Sequence, residues 1–183
     1  QLSTYTQIYD SDTSWAFSAF ESNAGGFPNY GWGDYNQVTH DVEGTKVFVV
    51  KTTAGNYKKL TIELLELDET WFFTYADIDG TNEVTDSLSK SDYSGKLFIY
   101  YSLDNGTTAD IEPTDPWDIV FTKYVTADFN GTPWQTVTGV LSNSGIQVGE
   151  AAGVHVDDAD KDNVTYNTSI STIGFDWKFL DYN

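Results

Sequence analysis

The sequence predicts an all-β, antiparallel fold, and three observations predict it. Aromatic residues make up 16% of the chain and cluster with Val, Ile and Thr in short stretches. Such side chains pack best on a pleated, half-buried surface. Gly, Asn and Asp clusters separate the stretches and supply the backbone angles of tight turns. No segment carries the apolar spacing of a long amphipathic helix.

In chain order the strand candidates are 45–52, 60–65, 70–76, 96–101, 117–125, 137–141 and 172–179. The turn candidates are Ala54-Gly-Asn56, Asp79-Gly-Thr-Asn82, Asp104-Asn-Gly106, Asn130-Gly131 and the acidic run 157–163. Asp104-Asn-Gly106 is the sharpest of these, because Gly after Asn accepts the positive φ that a tight hairpin demands. Many short strands joined by polar turns read as all-β.

The 183 residues suit one large β domain or two small ones, with enough chain for a real core. The chain has no Cys, which excludes disulfides, thiol nucleophiles and thiolate metal sites. It has no Met, so it reads as processed, cleaved from a tag or a fragment, with Gln1 a candidate mature terminus. No apolar run approaches the roughly 20 residues of a membrane-spanning helix. All nine basic residues are Lys, and the net charge is −19. That charge excludes nucleic acid as a partner, since a polyanion needs a basic footprint. It also argues against anionic membrane surfaces. The acidity has two readings, solubility in a secreted or salt-exposed protein and Ca²⁺ binding by carboxylate-rich loops.

An internal repeat is visible. Ser14-Trp15-Ala-Phe-Ser-Ala-Phe20 echoes Pro116-Trp117-Asp-Ile-Val-Phe-Thr122, and Gly31-Trp32-Gly-Asp-Tyr-Asn36 echoes Asp176-Trp177-Lys-Phe-Leu-Asp-Tyr-Asn183. The pairs occur in the same order, dividing the chain into units at 1–90 and 91–183. The first unit is a trimmed copy.

Tyr100-Tyr-Ser-Leu103 with the following Gly106, and then Trp117-Asp-Ile-Val-Phe121, form a strand-turn-strand signature. A hairpin over 46–63 and the aromatic run Trp71-Phe-Phe-Thr-Tyr-Ala-Asp77 add to it. Together these resemble the HmuY family of Bacteroidota surface proteins. The resemblance is strongest over 46–77 and 93–124. It implies an antiparallel β-sandwich, HmuY-like, in two units, the second lacking its closing hairpin. A sheet without its last strands exposes an edge. Something is then expected to cover that edge, or the parent chain continues.

The resemblance also implies a non-enzymatic, cell-surface or secreted ligand-binding protein, with haem or another tetrapyrrole the first ligand to consider and an outer-membrane receptor as a partner. Family members hold haem between paired His or paired Met side chains. This chain offers only His40 and His155, one in each unit. At the positions matching the second axial His, after Trp32 and Trp177, stand Gln37 and Tyr182. His155 with Tyr182 is an alternative pair, since Tyr ligates haem iron in some proteins. The ligand-binding candidates are therefore His155, His40, Tyr182, Trp177 and Trp32. The other reading of both His is an ordinary polar surface residue.

Two acidic runs are Ca²⁺ candidates. Asp77, Asp79 and Glu83 flank Gly80, and Asp158, Asp160 and Asp162 alternate along a loop. Hard oxygens around a sharp turn are what Ca²⁺ needs, and solvated hairpin tips look the same. Catalysis has little support, with no Gly-x-Ser-x-Gly elbow, no phosphate-binding Gly loop and no signature around either His. Two further readings stay open: a structural or accessory subunit of an outer-membrane surface assembly, and a glycan-binding module on exposed aromatics.

Overall fold

A computed structural model describes residues 6–127 and 134–177. Among the described residues strands are the main regular structure, every sheet is antiparallel, and the helical residues lie in short 3₁₀ turns. It forms two compact units, residues 23–115 and residues 1–22 with 116–183. Residues 91–115, which the repeat groups with the second copy, lie within the unit 23–115.

The unit 23–115 is built on a six-stranded sheet. Its strands are β1 (Gly33–Tyr35), β2 (Val42–Gly44), β3 (Phe48–Lys51), β4 (Tyr57–Leu65), β5 (Thr70–Asp77) and β6 (Val84–Ser89). The order is β1-β2-β4-β5-β6, and β3 also pairs with β4. So β4 carries β2 along one part of its edge and β3 along the other: Val42 opposes Leu65, while Phe48 opposes Leu60. Between those segments the β4–β5 register shifts at Ile62/Leu64, a bulge that leaves Glu63 unpaired with β5. Gly44 passes so close to this point that a Cβ there would lie 1.8 Å from the Ile62 carbonyl oxygen.

The core of this unit is Trp32, Val42, Leu60, Phe73, Tyr75 and Ala76, all buried. A separate hairpin, β7 (Tyr100–Ser102) and β8 (Thr107–Ala109), turns at the Asp104-Asn-Gly106 signal, with Gly106 at φ 64°. Tyr101 from β7 stands edge-on to Phe73, with ring centroids 5.0 Å apart, and its hydroxyl donates to Asp86 of β6 at 2.9 Å. Burial first, then bonding to Tyr75 and Asp86, drives its phenol pKa far above the ordinary range. The expected strand 96–101 starts late. Glu112, only 8% exposed, takes the backbone N–H of Leu97 at 3.0 Å and of Phe98 at 2.7 Å. Donors committed to a carboxylate are not available to a strand ladder.

The β5–β6 turn shows how charge fixes a loop. The Lys58 ammonium donates to Asp77 at 2.6 Å, and the Asn82 amide donates to the other oxygen at 2.6 Å. These bonds, Lys58 first, hold the Asp77 carboxyl below its ordinary value of 3.8. A depressed carboxyl contributes stability that is present above its unfolded pKa and lost as pH falls through the folded one. Acidification below 3.8 is therefore expected to loosen this turn. Protection of the Asp77 and Thr81 amides, measured against the intrinsic exchange rate at each pH, should fall there in the wild type, and Asp77→Asn should already be less protected at neutral pH.

The other unit holds a long hairpin, β9 (Ile119–Thr126) and β10 (Gln135–Ser142), and a short pair, β11 (Val148–Gly149) and β12 (Tyr166–Asn167). Among its described residues Val140, Leu141 and Ile170 are the buried large apolar ones. The expected strand over 172–179 is absent from its described part, 172–177, which instead bridges β10 through the pair Gly174 and Val140. Gly139 permits that approach, because a Cβ there would lie 2.3 Å from the Gly174 carbonyl oxygen. The segment 14–20 carries no strand, whereas its echo 116–122 runs into β9. No helix among the described residues is long and apolar enough to cross a membrane.

Candidate functional site

Two asparagines build the loops on either side of β1. The Asn29 side-chain oxygen takes the N–H of Gly25 and of Gly31, both at 3.0 Å, and its amide donates to Asp34 at 2.7 Å. Asn36 repeats the device in the loop between β1 and β2. Its oxygen takes the N–H of Val38 at 2.9 Å and its amide donates to Glu43 at 2.9 Å. Its backbone carbonyl accepts from His40 N–H at 2.9 Å. Asn and Asp side chains are suited to this because they reach nearby backbone donors. The loop ends with His40 at φ 67°, a left-handed conformation uncommon for a residue other than Gly.

This scaffold presents a ring cluster. His40 is exposed, and its Nδ1 lies 2.5 Å from the Tyr35 hydroxyl. The Tyr35 ring has Phe27 at 5.5 Å, Tyr30 at 6.4 Å and His40 at 6.0 Å, centroid to centroid. Phe27 is 66% exposed and Tyr30 39%. Four aromatic or imidazole rings thus stand together at the surface on a loop system pinned by side-chain hydrogen bonds. The Tyr35–His40 bond works in either direction. If Tyr35 O–H donates to Nδ1, the imidazole proton sits on Nε2. If Nδ1–H donates to the phenol oxygen, Nε2 becomes an acceptor or a metal ligand.

The other sequence candidates fare differently. Trp32, expected on a ligand platform, is 4% exposed and packs on Trp71 with centroids 5.4 Å apart, so it belongs to the core. His155 is exposed and caps a 3₁₀ turn, accepting from Asp157 N–H at 3.3 Å. Trp177 is 55% exposed, with its indole N–H donating to the Gly174 carbonyl at 3.1 Å. Tyr182 lies outside the described residues. His40 and Trp32 belong to one compact unit, His155 and Trp177 to the other.

The acidic runs are tied up locally. Asp77 faces Lys58 and Asn82, and Asp79 accepts from both the backbone and the hydroxyl of Thr81, at 3.0 and 2.7 Å. Glu83 is exposed. Asp160 caps its own turn through Asp162 N–H, Lys161 pairs with Asp162 at 2.6 Å, and Asp158 is exposed. Among the described residues no group of three or more His, Asp or Glu side chains is gathered closely enough to hold a metal ion.

Sequence reasoning named His40 but missed Phe27, Tyr30 and Tyr35. The signal was present in Phe27-Pro-Asn-Tyr-Gly-Trp-Gly-Asp-Tyr35, where aromatics alternate with turn formers. Only the turns decide which ring goes inward, and Trp32 alone is buried. No protein-family model, curated protein or solved structure matches this chain.

Proposed function

We propose that this is a non-enzymatic ligand-binding protein of HmuY type, at the cell surface or secreted, taking a flat aromatic ligand at the Tyr35–His40 patch. Haem or a related tetrapyrrole is the first candidate. The observation that carries the reading is the 2.5 Å bond between Tyr35 and His40 Nδ1 on an exposed face beside Phe27 and Tyr30. A ligating His commonly has its second nitrogen held by a partner, which fixes the ring and sets the tautomer. The neighbouring rings offer apolar area to a macrocycle. The sandwich architecture and the two-copy repeat are part of the same proposal, resting on the sequence resemblance.

A glycan is the second reading. Phe27 and Tyr30 are exposed rings on a stiff, polar loop, and such rings give a sugar a flat stacking face. An accessory role in an outer-membrane assembly rests on sequence alone, since its partner edge near residue 183 lies outside the described residues. Ca²⁺ at 77–83 or 158–162 would require the carboxylates to leave their present partners and converge.

Titration with ferric and ferrous haem tests the first reading. A saturable one-to-one Soret shift is expected, lost in His40→Ala and kept in His155→Ala. Tyr35→Phe should retain binding with about tenfold lower affinity, the loss of one supporting partner. A flat titration in both oxidation states overturns the haem reading. Glycan binding with loss in Phe27→Ala would then replace it.

A further inference from the structure

The unit formed by residues 1–22 and 116–183 contains a cleft of about 390 Å³ that the patch on the other unit does not involve. That volume falls in the usual range for a small-molecule site. Its lining has a definite chemistry. Tyr9, Trp15 and Tyr124 supply aromatic surface, and Leu141 and Ile170, 3% and 4% exposed, form the apolar floor. Asp10 and Asp12 supply the charge.

The aromatic rings are held in place. The Trp15 indole N–H donates to the Ser142 carbonyl at 3.0 Å, and Tyr9 stacks on Trp134 with centroids 4.6 Å apart. The carboxylates are held as well. Asp10 accepts from Ala19 N–H at 2.8 Å through one oxygen, and Asp12 accepts from the Thr126 hydroxyl and Ala127 N–H through one oxygen. Neither forms an ion pair among the described residues. Among the described residues Lys123 is the one basic residue in the lining. It lies on the exposed parity of β9, opposite in direction to Thr122 and Tyr124. Tyr124 stays a neutral phenol, its pKa raised by burial and then by the negative charge of Asp12 and Asp176.

Aromatic faces attract cations through their quadrupole, and carboxylates without a basic partner favour the same charge. An anionic or neutral guest would leave that charge uncompensated. The chain's net charge of −19 raises the local concentration of cations still further. We propose that this cleft is a binding site for a small organic ammonium ion, seated between Trp15 and Tyr124 with its charge toward Asp10 and Asp12.

Choline and its neutral carbon isostere, 3,3-dimethyl-1-butanol, are a matched pair of probes for the full chain. Titrations are followed by NMR on the Trp15 indole N–H and the amides of Thr122–Val125. Choline is expected to give saturable shifts there, with the isostere binding about tenfold more weakly. The double variant D10N/D12N keeps an oxygen acceptor at both positions. It should weaken choline by about tenfold or more and leave the isostere unchanged. Equal binding of the two probes to the wild type overturns the proposal whether or not the variant folds. So does an absence of saturable shifts with choline, or unchanged choline affinity in a folded D10N/D12N.

Discussion

Gly44→Ala is expected to unfold or severely destabilise the unit 23–115, although it adds one methyl group. The new Cβ would lie 1.8 Å from the Ile62 carbonyl oxygen and 2.8 Å from the Ile62 carbonyl carbon. Both are backbone atoms, so no side chain can rotate away. The obstacle sits at the bulge where β4 exchanges one partner strand for another. Relief requires β2 to lift from β4, which also pulls Val42 from its pairing with Leu65. Overpacking of a core typically costs about 1–3 kcal/mol, and a backbone clash this short lies at or beyond the upper end. Urea unfolding should show a loss of about 3 kcal/mol or more, or no folded baseline. A loss under about 1 kcal/mol would mean that the strands separate readily. Gly55→Ala is the control, because a Cβ there meets nothing within 4 Å and the cost comes only from its φ of 89°.

Glu112→Ala is expected to be the most damaging polar change. The carboxylate is 8% exposed and accepts from two consecutive backbone N–H groups, Leu97 and Phe98. Truncation leaves both donors without that acceptor. A buried donor left unsatisfied costs about 1–3 kcal/mol, so the pair implies roughly 2–6 kcal/mol. Glu112→Gln separates geometry from charge. Its amide oxygen can serve one donor, while its NH₂ faces the other, so an intermediate loss is expected. Thermal unfolding of the three proteins side by side checks the order wild type, Gln, Ala. A variant Glu112→Ala as stable as wild type would show that water replaces the carboxylate without penalty.

The strands that could be read from sequence are those whose own side chains announce them. β5 and β9 are rich in aromatic and β-branched residues, β4 and β10 mix β-branched residues with Leu, and each lies close to its expected position. β1, β2 and β6 were missed for a physical reason. Gly33-Asp-Tyr35 and Val42-Glu-Gly44 are three residues long and contain the glycines needed for close approach, while Val84–Ser89 is polar on one face and interrupts Val84 and Leu88 with Asp86 on the other. Their pairing is imposed by neighbours. The segment 96–98 has a strand-like composition, but Glu112, remote in sequence, takes its donors.

The same division runs through the candidate site. His40 could be named by residue type, but its bond to Tyr35 depends on a loop closed by Asn36 and on a positive φ at His40 itself. Trp32 and Trp177 look alike in sequence, yet one is buried against Trp71 and the other is half exposed. Which face of a short strand is covered is a tertiary fact, set by what lies across it.

Tyr101 gives the protein an internal optical reporter. Its hydroxyl is committed to Asp86 in a half-buried position where a phenolate would meet the negative charge of Asp86. Among the chain's 12 tyrosines it should therefore resist ionisation until the β7–β8 hairpin leaves the sheet. In an alkaline titration the exposed tyrosines will redden first, in a reversible step. The last increment of phenolate absorbance will arrive with loss of tertiary structure. Its amplitude, absent in Tyr101→Phe, would turn ultraviolet absorbance into a readout of when that one hairpin lets go.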